Sequence, residues 1–177
     1  MSMGLSWGPS TWYVLHLLSL TWKQELVPLY IRFLTLMSKT IPCIICRRHF
    51  NRNIRKTGGI VNNCRDKDRM IKWVIDSHNM VNRKNGKKVY TYEKAKSFYY
   101  GNGKLVYKRN LFMTFLREYI VYNFRFSRQR SIGMMRILGQ IFPFEGRRER
   151  FKKYLVNKNI GSIGIMRWLK GYKKILG

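Results

Sequence analysis

Apolar residues recur at helical spacing along most of this chain, and they rarely alternate as a half-buried strand requires. Trp12, Leu15, Ser19 and Trp22 fall on one face, with Val14, Leu17 and Leu18 beside them. Ser10 or Thr11 is placed to cap a helix beginning near Trp12. Pro28 marks the start of a second helix, where Leu29, Phe33, Leu36 and Met37 keep the period until Ile41-Pro42 breaks it. A third helix starts at Pro42 and runs through Cys43, Cys46, His49 and Phe50. Thr57-Gly58-Gly59 through Asn63 reads as a loop. Asp66 or Asp68 caps a fourth helix, with Met70, Trp73, Val74 and Val81 on its apolar side and Asn85-Gly86 ending it. Tyr92 to Tyr100 reads as one more short helix, so the predicted class is all-α.

Beyond Gly101-Asn102-Gly103 the chain becomes more basic. Residues 104–177 hold 18 Lys plus Arg against 3 acids, a net of +15 within a chain total of +28. Leu111 to Phe126 reads as an aromatic-rich helix, and Ile163, Met166, Leu169, Tyr172 and Ile175 as an apolar stripe. The expected division is therefore residues 1–101 and a basic helical extension, 102–177. The extension is either a platform for nucleic acid, an acidic partner or an anionic membrane surface, or a solvated appendage. A hydrophobic fraction of 45% excludes a disordered chain despite the charge. The N-terminus lacks a signal-peptide pattern, and no apolar run is long enough to span a bilayer.

Three cysteines are too few for a disulfide-stapled secreted domain. Cys43 and Cys46 are two residues apart at a helix start after Pro42. That spacing permits a disulfide, and the helix N-terminus lowers a thiol pKa, as thiol–disulfide exchange requires. A zinc site drawing on Cys43, Cys46, His49 and Cys64 stays open, in a basic nucleic-acid-binding or zinc-binding protein. A haem-attachment motif fails because position 47 is Arg47. A thioredoxin-like reading lacks its βαβ pattern.

On the fourth helix, His78 and Asn82 are four apart, with Asn79 and Val81 beside them, and Lys87-Lys88 follow Gly86. Trp12 and His16 are likewise four apart, pairing an aromatic plate with a hydrogen-bonding ring. Trp7-Gly8-Pro9-Ser10-Thr11-Trp12 with Leu15-His16, Pro42-Cys43-Ile44-Ile45-Cys46, and Trp73…His78-Asn79-Met80-Val81-Asn82 with Gly86-Lys87 together resemble the Erv/ALR family of FAD-linked sulfhydryl oxidases. The resemblance covers roughly residues 5–100 and is nearest the branch found in large cytoplasmic DNA viruses.

It implies a four-helix bundle with a short fifth helix, usually a homodimer, that binds FAD. Cys46 would be the sulfur beside the flavin, and Cys43 the interchange thiol that meets a protein dithiol. Trp12 and His16 would contact the FAD rings. His78, Asn79, Val81 and Asn82 would line the adenine and ribose side, with Lys87 and Lys88 toward the phosphates. The implied reaction carries electrons from reduced CxxC or thioredoxin-like proteins to molecular oxygen, giving hydrogen peroxide. The implied setting is host cytoplasm or virion. Cellular members carry a second, structural disulfide at positions that are Ile75 and Tyr92 here, and no separate shuttle CxxC is present.

Overall fold

A computed structural model describes residues 7–157, together with 167, 170 and 171. The apolar stripe expected between Ile163 and Ile175 lies outside the described residues. Helix α1 (Trp7–Leu20) is followed by a 3-10 turn and α2 (Val27–Thr40), with Pro28 in the first turn of α2. Then come α3 (Ile44–Lys56), α4 (Gly59–Cys64), α5 (Lys67–Lys84) and the short α6 (Tyr92–Ser97). A two-residue hairpin pairs β1 (Tyr100–Gly101) with β2 (Lys104–Leu105). Next is a nearly continuous helical stretch: α7 (Arg109–Thr114), a π-helical segment (Phe115–Ile120) and α8 (Val121–Phe124). It is followed by α9 (Arg128–Ile141) and α10 (Glu145–Asn157). The all-α class holds, with α1, α2, α3 and α5 as the long helices of residues 7–101.

Three boundaries differ from the sequence expectation. Helix α1 starts a full turn before Trp12, and Ser10 donates its hydroxyl to the Trp7 carbonyl rather than capping an N-terminus. Residues 59–64 form α4 rather than a loop, because Gly58 and Gly59 take positive φ angles of 85° and 89° and turn the chain straight into another helix. At the third boundary Cys43 is the N-cap of α3 and not its first turn. The Asp66 cap is found as expected, accepting from the Arg69 N–H, and Gly86 at φ 63° follows the end of α5.

Ten of the fourteen residues of α1 are buried, from Ser10 to Leu20 apart from Trp12. A helix apolar nearly all round needs cover on every side. One side packs on α5; the cover on another side comes from α7 and the π-helical segment. Phe112, Phe115, Leu116, Tyr119 and Ile120 therefore join Tyr13, Leu17, Phe33 and Met37 in one hydrophobic core, which also takes in Met134, Leu138 and Phe151. The expectation of a solvated appendage is corrected on this point: residues 109–151 supply core side chains as well as surface charge. Part of that charge is also engaged internally. Arg147 lies 4.5 Å from the Tyr107 ring centroid, and Arg148 pairs with Glu145 and Glu149.

Ile75 and Tyr92, the positions at which the resemblance implies a second bridge in cellular members, are packed side chains here. Ile75 joins Leu20, Ile71 and Ala95 in a small cluster, with Tyr90 and Tyr92 packed against it. Burial thus ties α6 to α5 where a covalent link is absent.

Candidate functional site

The sequence places Cys43 and Cys46 around the first turn of α3, and the two sulfurs form a disulfide with Cα atoms 5.2 Å apart. The Cys46 backbone N–H donates to the Cys43 sulfur at 3.2 Å. An unsatisfied helix-terminal donor thus falls on the sulfur, where it favours negative charge. Cys43 is half-buried and Cys46 exposed, and the intervening Ile44 and Ile45 are 58% and 60% exposed. Phe50, one turn beyond Cys46, packs against Trp73 of α5 at 6.0 Å between ring centroids.

The histidine constellation is assembled from α1 and α5, which pack together. His16 Nε2 and His78 Nδ1 are 3.1 Å apart, so one ring nitrogen donates and the other accepts. Trp12 and His78 are stacked, and Tyr99 stacks on the other histidine, His16, at 4.9 Å. Burial, then the neighbouring His78, lowers the His16 pKa to about 3. Burial, then the charge of Lys87, lowers His78 to about 4. Both rings are therefore neutral near pH 7 and able to share a proton between complementary tautomers.

Asn79 and Asn82 have partners that the sequence did not disclose. Asn79 Nδ2 donates to the Tyr90 carbonyl at 2.8 Å, and the Tyr90 N–H donates back to Asn79 Oδ1 at 3.0 Å. Asn82 Nδ2 donates to the Lys88 carbonyl at 3.1 Å, and the Lys87 N–H donates to the Asn82 carbonyl at 2.8 Å. Both amides thus shape the loop that presents the exposed Lys87 and Lys88. Val81 is half-buried on the same helix. Tyr99 was missed by sequence reasoning; its only signal was a tyrosine inside a tyrosine-rich segment.

Four buried polar atoms on these two helices lack a hydrogen-bond partner: Trp7 Nε1, Thr11 Oγ1, Trp73 Nε1 and Ser77 Oγ. Orphaned donors of this kind suit a ligand with polar edge atoms. A cavity of about 70 Å³ lies among His16, His78, Ile75, Phe98 and Tyr99. A larger cleft of about 540 Å³ lies between Asp68, Lys72 and Asp76 and the segment Tyr90–Tyr92, but its lining holds neither cysteine nor histidine. The smaller cavity is the one lined by the histidine pair.

The zinc alternative does not assemble. Cys43 and Cys46 are joined to each other, and His49 faces Lys84, with its Nε2 2.9 Å from the ammonium nitrogen. Cys64 is fully buried at the end of α4, where burial pushes its thiol up to about 12. It is a core residue. Among the described residues, no group of three or more His, Cys, Asp or Glu is gathered to hold a metal.

The comparisons with known proteins converge on the same segment. FAD-linked sulfhydryl oxidases of African swine fever virus, from Kenyan and Malawian isolates, are each 29% identical over 101 residues, covering 54% of this chain and 81% of the relative. No solved structure matches. A model of the Erv1 / Alr family matches residues 9–100, a span containing Trp12, the cysteine pair and the His78 constellation, and the chain belongs to that family.

Proposed function

We propose that this protein is an FAD-dependent thiol oxidase that forms disulfides in client proteins. The observation that carries the reading is the Cys43–Cys46 disulfide at the N-terminus of α3, open to solvent within the family-matched bundle.

A client thiolate attacks Cys43 Sγ, the Cys43–Cys46 bond breaks, and Cys46 leaves as a thiolate. The second client thiolate then attacks the client sulfur of the mixed disulfide, closing the client disulfide and releasing Cys43 as a thiolate. The client has lost two electrons and two protons, and the cysteine pair holds the electrons. The Cys46 N–H and the N-terminus of α3 stabilise charge on Cys43 as it leaves. Exposure alone would favour Cys46 as the sulfur that meets a client. Its position one turn before Phe50, which packs on Trp73, supports the cofactor-side role instead.

FAD supplies a two-electron acceptor that molecular oxygen re-oxidises, giving hydrogen peroxide. The residues present fit it. Trp12, His16 and His78 offer ring contacts, and Thr11, Trp73 and Ser77 offer unengaged polar atoms. Asn79, Val81 and Asn82 would line the adenine and ribose side, with Lys87 and Lys88 toward the pyrophosphate. The clients are reduced CxxC or thioredoxin-like proteins, the working unit is a homodimer, and the setting is host cytoplasm or virion. Among the described residues, no helix is long and apolar enough to cross a membrane.

The test is a flavin absorbance spectrum with oxygen consumption on a reduced dithiol. Cys46→Ser should abolish turnover and keep bound flavin; offered a client whose CxxC is already a disulfide, its Cys43 thiolate should attack that bond, expel one client thiolate and hold the client as a mixed disulfide. His78→Ala should weaken flavin retention. Full oxidase activity in Cys46→Ser would refute the assignment, and capture of the disulfide form of the client by Cys46 in Cys43→Ser, without capture by Cys43 in Cys46→Ser, would reverse the two sulfur roles.

A further inference from the structure

Helix α3 carries Arg47, Arg48, Arg52, Arg55 and Lys56 and no acid. Ile44, Arg48, Arg52 and Arg55 are spaced four, four and three, so they share one face, and all four are exposed. The stripe begins between the two cysteines and runs about 16 Å along the helix. Lys84 of α5 borders it through its contact with His49. The arrangement is not neutralised from within. All eight acids of the chain lie in the described residues, and six of them pair with Lys23, Arg69, Lys72, Arg117, Arg148 and Lys152. Among the described residues, no carboxylate pairs with a cation of α3.

A row of unpaired guanidinium groups leading away from an apolar, reactive turn reads a polypeptide with matching features. The apolar pair Ile44-Ile45 suits an apolar side chain next to the attacking cysteine. The cations suit carboxylates farther along. An extended strand rises about 3.3 Å per residue, so the stripe spans about five residues. Resting on the oxidase reading, we propose that the α3 face is the client-docking surface, and that it selects dithiol segments carrying acidic residues within about five positions of the attacking cysteine.

The test uses the full chain and three rhodamine-labelled peptides with one central apolar-Cys-x-x-Cys core, flanked by Glu, Gln or Lys. Versions with Ser for both cysteines report binding by anisotropy without any turnover. The Glu peptide should bind about tenfold tighter than the Lys peptide at low salt, with the gap closing at ~0.5 M salt. Arg48→Glu/Arg52→Glu should invert that order, and Arg48→Lys/Arg52→Lys should preserve it. Ile44→Ser/Ile45→Ser should weaken all three peptides alike. Equal affinities for the three peptides would overturn the proposal, as would a short RNA that displaces the Glu peptide at lower concentration than the unlabelled peptide itself. Oxygen consumption with dithiothreitol, which has no charge to read, reports separately on the oxidase reading: its failure in the wild-type chain would sink that reading while the binding order still judges this one. With the cysteine peptides, the same preference should appear in KM and not in kcat.

Discussion

The rings of Trp12 and His78 lie parallel to within 5°, with centroids 4.4 Å apart, although they come from opposite ends of the matched segment. The stack closes the outer side of His78 while His16 holds its Nδ1, so the imidazole is fixed in place and shielded.

That shielding predicts acid sensitivity. His16 and His78 have folded-state pKa values of about 3 and about 4, below the unfolded value near 6.5. Above pH 6.5 both are neutral in either state and nothing is lost. As pH falls, the unfolded chain gains protons first, so stability declines from about pH 6.5 down towards the folded values. By pH 5 the His16 share is about 2 kcal/mol, and that of the partly solvated His78 is smaller. Urea midpoints at pH 7.5 and 5.0 should show the loss, and His16→Gln should flatten it. A wild-type midpoint unchanged across that interval would contradict the burial of the pair.

Asn79 acts through the loop it holds. Asn79→Ala should remove the two bonds to Tyr90 and cost about 1–3 kcal/mol. Flavin should then dissociate faster, with the effect of a further Lys87→Ala change reduced because its loop is already released. Fully additive losses in flavin retention would argue that the two residues act separately.

Gly86 occupies the left-handed region at φ 63°, and no atom lies within 4 Å of where a Cβ would stand. Gly86→Ala should therefore cost only backbone strain, about 1–2 kcal/mol, read as a lowered thermal midpoint. A neutral outcome would mean the α5 terminus had rearranged.

The shared core gives a fourth expectation. Tyr119 bonds Thr40 Oγ1 at 3.0 Å and is fully buried beside Phe115. Tyr119→Phe should cost about 1 kcal/mol, and Phe115→Ala about 3–5 kcal/mol. Flavin release and chain unfolding should shift together in Phe115→Ala, since one core serves both regions. Unfolding of 109–157 ahead of flavin loss would contradict it.

Much of this was readable from sequence because the informative signals were local. Pro28, Asp66 and Gly86 each act within a turn or two and lie at boundaries the structure keeps, and the Cys43–Cys46 spacing permits the disulfide that is found. Misreadings came where a distant partner decided. Glycines 58 and 59 looked like loop punctuation, yet their positive φ angles join two helices without a loop. The resemblance turned Asn79 and Asn82 toward a ligand, and their side-chain amides donate to carbonyls of a loop whose path no periodicity predicts. The flanking apolar residues of α1, Val14, Leu17 and Leu18, already required a second cover, but nothing local said that residues 109–124 provide it.

Cys64 shows what a disulfide-making catalyst must do about its own third sulfur. A reactive thiol on the surface would compete with clients, cross-link one copy to another or be stranded in a dead-end mixed disulfide. Zero exposure and a pKa pushed up to about 12 leave almost no thiolate and no path of attack. The same packing that completes the core thus makes the enzyme immune to its own chemistry.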